Sequence, residues 1–166
     1  MHLSTRGRYA VMALLDLAEL QKSQNGPIAL AQIAERQELS LSYLEQLFAK
    51  LRRAGLVQSV RGPGGGYELA KPTDQIHLGQ IVVAVDEATD MTRCGGASTL
   101  GNPSAEDGCM HGEKCNAHNL WMSLSRHIAL FMQSVNLEMV MNGTVGNDFI
   151  IPEILSSRDA MQVKVS

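Results

Sequence analysis

Residues 56–70, LVQSVRGPGGGYELA, narrow the possible folds more than any other stretch. Two short β-type runs flank a tip of glycines, one proline and one arginine, which reads as a hairpin. Upstream, apolar residues recur at helical spacing from Thr5 to about Gln21, at Val11, Leu14, Leu15 and Ala18. Asn25-Gly26-Pro27 is a turn, and Ile28 leads into a short helix from Leu30 to Gln37 with Ile33 and Ala34 facing inward. Glu38-Leu39-Ser40 interrupts it. A third helix follows from about Leu41 to Arg53, carrying Leu44, Leu47, Phe48 and Leu51 on one side. Gly55 marks its end, and Arg52 and Arg53 sit in its last turn, where cations suit the helix dipole. Helix, helix-turn-helix and hairpin in that order predict a winged helix-turn-helix. The expected fold class is mainly α with a small β-hairpin wing.

Beyond the wing, Leu78 to Ala88 has the pattern of another helix, and Ala117 to Val135 that of a long amphipathic one. The apolar stripe of the long helix is Leu120, Leu124, Ile128, Phe131 and Val135, with Trp121 beside it. Such a stripe serves either an intramolecular core or, on a helix this late in a small domain, a dimer contact. Asn136 is placed to cap a short closing helix, LEMVM, ended by Gly143. Thr144 to Ser166 is expected to be poorly ordered or loosely attached.

Charge is divided along the chain. Residues 1–71 hold nine Lys/Arg against six Asp/Glu, and residues 72–166 hold five against eleven. A basic front half fits a DNA-reading head, although the whole chain carries a net charge of -3. No charged N-terminal region precedes a long apolar run, and no apolar stretch is long enough to span a membrane. A cytoplasmic protein with no membrane partner is expected.

At the N-terminus of the third helix, Ser42, Glu45 and Gln46 are the candidate base readers. Gln can pair in bidentate fashion with adenine, and Glu can accept from the cytosine amino group. Ser42-Tyr43-Leu44-Glu45 also matches the S-x-x-E capping box, a role that needs no DNA. Arg61, at the base of the hairpin tip, is suited to a minor groove or is simply a solvated arginine. Arg6, Arg8, Lys50, Arg52 and Arg53 are candidate phosphate contacts, each with the same alternative of a solvated surface charge. The tip fits neither G-x-x-x-x-G-K-[ST] nor G-x-G-x-x-G, so no nucleotide site is expected.

All three cysteines, Cys94, Cys109 and Cys115, lie in one glycine-rich segment closed by His118. Three thiols cannot pair completely in one chain, and a cytosolic setting disfavours structural disulfides, so metal or redox chemistry comes first. The spacing lacks the short C-x2-4-C knuckle usual in structural zinc sites. A loose loop of thiolates suits an iron–sulfur cluster better, with His118 or, less pre-arranged, His111 as a further ligand. His2, His77 and His127 read as surface or packing residues. No nucleophile–base arrangement with a substrate pocket is discernible, so the chain is not expected to be an enzyme.

MHLSTRGRYAVMALLDLA, LSLSYLEQLFAKLRRAGLVQSVRGPGGGYELA, AVDEATDMTRC and CNAHNLW together resemble the IscR family of iron–sulfur cluster regulators, within the wider winged-helix regulators, over about residues 1–142. GEKCNAHNLW after a TRC segment points to that branch instead of the nitric-oxide or cysteine-metabolism sensors. The resemblance implies a homodimeric transcription factor, acting as repressor or activator on near-palindromic double-stranded DNA. It implies one 2Fe–2S cluster per subunit, supplied by the iron–sulfur assembly machinery and bound by Cys94, Cys109, Cys115 and His118. It further implies that cluster occupancy alters operator choice at cluster-assembly genes, that Glu45 discriminates two operator classes, and that Ser42, Gln46 and Arg61 contact DNA. The corresponding division is a DNA-binding domain at 1–72, a connecting helix at 73–92, a cluster-binding loop at 93–118, dimerisation helices at 117–142 and a tail at 143–166. One departure is plain: the gap between the first two cysteines is lengthened by the insertion ASTLGNPSAED or most of it. The alternatives are a zinc-stabilised or a thiol-redox winged-helix regulator without a cluster.

Overall fold

The computed structural model describes residues 5–85 and 116–146. Three helices, α1 (Thr5–Ser23), α2 (Leu30–Gln37) and α3 (Leu41–Arg53), precede a hairpin of β1 (Val57–Val60) and β2 (Gly66–Leu69). A single 3-10 turn (Thr73–Gln75), α4 (Leu78–Ala84), α5 (His118–Ser134) and α6 (Leu137–Met141) follow. This is a mainly helical fold with one antiparallel wing, and the expected fold class holds. Among the described residues no helix is long and apolar enough to cross a membrane.

Leu14 and Leu17 of α1, Ile33 of α2, Leu44, Phe48 and Leu51 of α3, Leu56 and Val57 at the wing, and Ile76 and Ile81 beside and within α4 form one buried cluster. The helical periodicity that marked these residues in the sequence is thus their shared inward face.

Two turns set the helix-turn-helix angle and its exit. After α3, Gly55 adopts a left-handed φ of 70°. Its N–H donates to the Arg52 carbonyl while Leu56 N–H donates to that of Leu51, both at 3.0 Å, the paired bonds of a Schellman stop. After α2, Leu39 N–H reaches the Ala34 carbonyl at 3.0 Å in the same way, but the left-handed residue is Glu38, at φ 53°. A side chain in that region carries a steric penalty that glycine avoids. Glu38→Gly is therefore expected to stabilise the protein by about 1 kcal/mol, raising the melting midpoint by about 3 °C in a thermal unfolding scan. An unchanged or lowered midpoint would show that the turn is not strained.

The hairpin is less isolated than the sequence suggested. Ile28 exchanges backbone hydrogen bonds with Tyr67 at 2.9 and 2.8 Å, so the residue read as a lead-in to α2 is a bridge to the wing. Gly66 makes this possible, because a Cβ there would run into the Ile28 carbonyl. Gln21 Oε1 accepts from Leu69 N–H at 3.1 Å, and the Tyr67 ring packs edge-on against Phe48 at 5.0 Å. The wing is thereby fixed to α1, α3 and the segment before α2.

In the second half, α4 packs on α1, α3 and α5. Leu78 N–H donates to the Val135 carbonyl at 2.9 Å, and Leu137 N–H to that of Ile76 at 3.0 Å, tying the chain after α5 back to the segment before α4. Asn136 caps α6 as expected, accepting from Met139 N–H at 2.9 Å. The expectations for residues 86–115, including the far end of the helix predicted to reach Ala88 and the cysteine segment, lie outside the described residues, as does the tail after Gly146.

Candidate nucleic-acid interface

Helix α3 buries Leu44, Leu47, Phe48 and Leu51, which leaves one outward face. By the 3.6-residue period, Ser42, Gln46 and Arg53 stand on that face opposite Leu47 and Leu51, with Glu45 on its flank, and all four are exposed. Its first turn is held by Ser40, whose hydroxyl accepts from Tyr43 N–H at 3.2 Å. This corrects the capping-box reading: the cap lies two residues before Ser42, and Tyr43 occupies the position that Glu45 would need. Ser40 immediately precedes the first periodic apolar residue, Leu41, which is the signal that locates it. Tyr43 adds an edge-on contact to Tyr9 of α1, 6.1 Å between ring centres.

The candidate cations lie on α1, on α3 and just after β1. Arg61 is exposed immediately after β1, and Arg6 and Arg8 are exposed at the start of α1. Lys50 is half-buried, and Arg53 is exposed in the last turn of α3. Arg52 Nη1 donates to Ser59 Oγ of β1 at 3.3 Å and so links α3 to the wing.

His118 is the first residue of α5 and is half-buried. Cys94, Cys109, Cys115 and the rival His111 lie outside the described residues. Among the described residues no three His, Cys, Asp or Glu side chains converge as a metal site. Of the other histidines, His77 stands at the N-cap of α4, its N–H donating to Gln80 Oε1 at 3.1 Å. His127 Nδ1 lies 2.7 Å from the Ser123 carbonyl, one turn back. Both are local structural roles.

The long helix buries small residues, Ser125 and Ala129. Its apolar stripe divides: Val135 is buried, whereas Leu120 (62 %), Trp121 (40 %) and Leu124 are exposed. Most of the stripe is therefore not buried in the chain's own core.

A family model described as Rrf2, iron-dependent transcriptional regulator, matches residues 3–143, which takes in every element from α1 to α6. HTH-type transcriptional regulator IscR of Yersinia enterocolitica is 49 % identical over 142 residues, 86 % of this chain and 80 % of that protein. Its counterpart in Photorhabdus laumondii is 50 % identical over the same span. Among solved structures, T. potens IscR superposes with a TM-score of 0.67 at 31 % identity, covering 93 % of this chain and 96 % of the other. CymR, the global cysteine regulator of B. subtilis, gives the same TM-score at 30 % identity over 86 % of this chain and 97 % of that one. With helix-turn-helix, wing and closing helices all inside the matched span, the chain belongs to the Rrf2 family and is a transcriptional regulator of the IscR type.

Proposed function

We propose that this chain acts as a homodimer on double-stranded DNA, with a 2Fe–2S cluster in each subunit setting operator choice. Cys94, Cys109, Cys115 and His118 would hold the cluster, a donor set of three thiolates and one imidazole that suits iron. When bound, it supplies a linkage sensitive to iron supply and oxidation.

The observation that carries the reading is the position of His118. It opens α5, α5 packs on α4, and α4 packs on both α1 and α3. A change in how His118 is held thus bears, through packed helices, on the helix that exposes Ser42, Glu45 and Gln46. The exposed Leu120, Trp121 and Leu124 supply an apolar face for the second subunit. Two recognition helices then favour near-palindromic sites with half-sites about one turn, ~34 Å, or a multiple apart. Arg61 would enter the minor groove, and Arg6, Arg8, Lys50, Arg52 and Arg53 would meet phosphates, so binding should fall steeply with added salt. The setting is the cytoplasm, with the iron–sulfur assembly machinery as cluster donor. The role is regulatory and not enzymatic.

Glu45 is the position on which operator choice is expected to turn. A carboxylate facing the major groove accepts from a cytosine amino group and repels sites that offer only acceptors there. Glu45 is expected to disfavour one operator class until cluster binding resets the DNA-facing surface. Cluster-free Glu45→Ala should therefore bind that class about tenfold or more tighter than the cluster-free parent, in titrations of both protein forms against both classes. If the variant keeps the parental preference in both forms, Glu45 is not the discriminator.

A further inference from the structure

Three of the large exposed apolar side chains belong to the α5 stripe; another, Leu41, is the first residue of α3 and 42 % exposed. Its neighbours Leu39 and Tyr43 pack against the core, whereas Leu41 lies outside the core and its packed fringe. The Ser40 cap holds the first turn of the helix, so Leu41 projects from a fixed backbone. An exposed leucine on an ordinary surface needs no explanation. This one stands beside Ser42 and one turn before Glu45 on the same flank of the helix. Amid the polar base edges of the major groove, the apolar group available to such a side chain is the C5-methyl of thymine.

We infer that Leu41 is a specificity-determining residue that packs on a thymine methyl at one position in each half-site, next to the base pair met by Glu45. The inference rests on the DNA-reading role proposed above for α3. It adds an apolar element to a face whose other members are Ser42, Glu45 and Gln46. Losing one buried methyl contact corresponds to about fourfold in affinity per half-site, and to roughly fifteenfold when both half-sites are changed.

The test begins with selection of operators from a random duplex library by the full-length parent protein and by Leu41→Ala. Each thymine in the parental sites is then replaced, one position per half-site at a time, with deoxyuridine, which removes only the methyl. The parent should select a fixed thymine in each half-site and lose about fifteenfold when both are replaced. Leu41→Ala should lose the preference for that thymine and bind the thymine and deoxyuridine duplexes equally. Leu41→Met, which retains an apolar contact, should keep most of the preference, and Leu41→Gln should abolish it. Circular dichroism melts of each variant report whether the fold is intact. If one variant fails to fold, the thymine-to-deoxyuridine ratio of the remaining Leu41 variants against the parent still decides. A parent indifferent to every methyl, or a Leu41→Ala protein with an unchanged thymine-to-deoxyuridine ratio, overturns the inference. A parent that selects no sequence at all overturns instead the DNA-reading role on which it rests.

Discussion

Replacing Cys115 by alanine is expected to remove the visible absorption of anaerobically prepared protein outright. The proposed donor set has no spare member: three thiolates and one imidazole fill it, and Cys115 stands three residues before His118 in the sequence. His118→Ala should likewise bleach the protein, whereas His118→Cys should keep colour with an altered spectrum, since a thiolate also ligates iron. Trp121, the chain's sole tryptophan, lies one turn beyond His118, so its fluorescence reports the site independently of DNA binding. It should be low in coloured protein, rise as colour is lost, and stay high in His118→Ala. Cys94→Ala tests the lengthened gap before Cys109. Closing a longer loop adds little entropic cost, about 0.6 kcal/mol per doubling, so Cys94 is expected to remain a ligand and its alanine variant to be colourless. A still-coloured Cys94→Ala would transfer that position to another donor such as His111. Iron and sulfide counts on the parent decide the class: stoichiometric zinc without iron, or metal-free protein with oxidised thiols, would replace the cluster reading with one of its two rivals.

Coupling between that site and α3 must be reciprocal. If cluster occupancy changes affinity for an operator five- to 150-fold, the usual range for such couplings, the same operator must change cluster retention by the same factor. Such a coupling would run through α4, which contacts α5, α1 and α3, and the Glu45 titrations would measure its size.

How much of this was legible in the sequence depended on the range of the interaction involved. The bounds of α2 and α3 followed from apolar spacing and a local break, and α6 from Asn136 and Gly143, because the determinants lie within one or two turns. The Ile28–Tyr67 bridge was not legible, since Ile28 carries no mark of pairing with a residue 39 positions on. Gly66 offered a hint, yet a glycine in a glycine-rich tip does not announce which partner it admits. The S-x-x-E match at Ser42 misleads because it ignores where the helix starts. With α3 beginning at Leu41, Ser40 is the residue before it, and its backbone, extended at φ -68° and ψ 137°, is that of a cap. At the candidate site, residue types and order were readable, and the outward placement of Ser42, Glu45 and Gln46 followed from the period of α3. The split of the α5 stripe into a buried Val135 and exposed Leu120, Trp121 and Leu124 depends on what packs nearby, which periodicity cannot supply.

The largest stability effect is expected at a pair the sequence did not single out. Asp16, on α1, is only 4 % exposed and receives a hydrogen bond from Arg36 Nε of α2 at 2.8 Å. Its second carboxylate oxygen is buried without a hydrogen-bond partner. Arg36 is half-exposed, and its contact with the solvated Glu19, at 3.9 Å, contributes little beside this. The pair ties α2 to α1. Arg36→Met keeps a side chain of similar length but strands the carboxylate. Breaking a fully buried pair costs about 3–5 kcal/mol; with half of Arg36 already in water, roughly 2–3 kcal/mol is the expected loss. That is a large share of the ~5–15 kcal/mol available to a domain and should be plain in chemical denaturation. Asp16→Leu combined with Arg36→Met removes both the charge and the unpaired oxygen, and should recover most of that loss or exceed the parent. The coupling energy from the four-protein cycle separates an ion-pair effect from a packing effect. A double variant no more stable than Arg36→Met alone would mean that the arginine stem, and not its charge, holds α2 on α1.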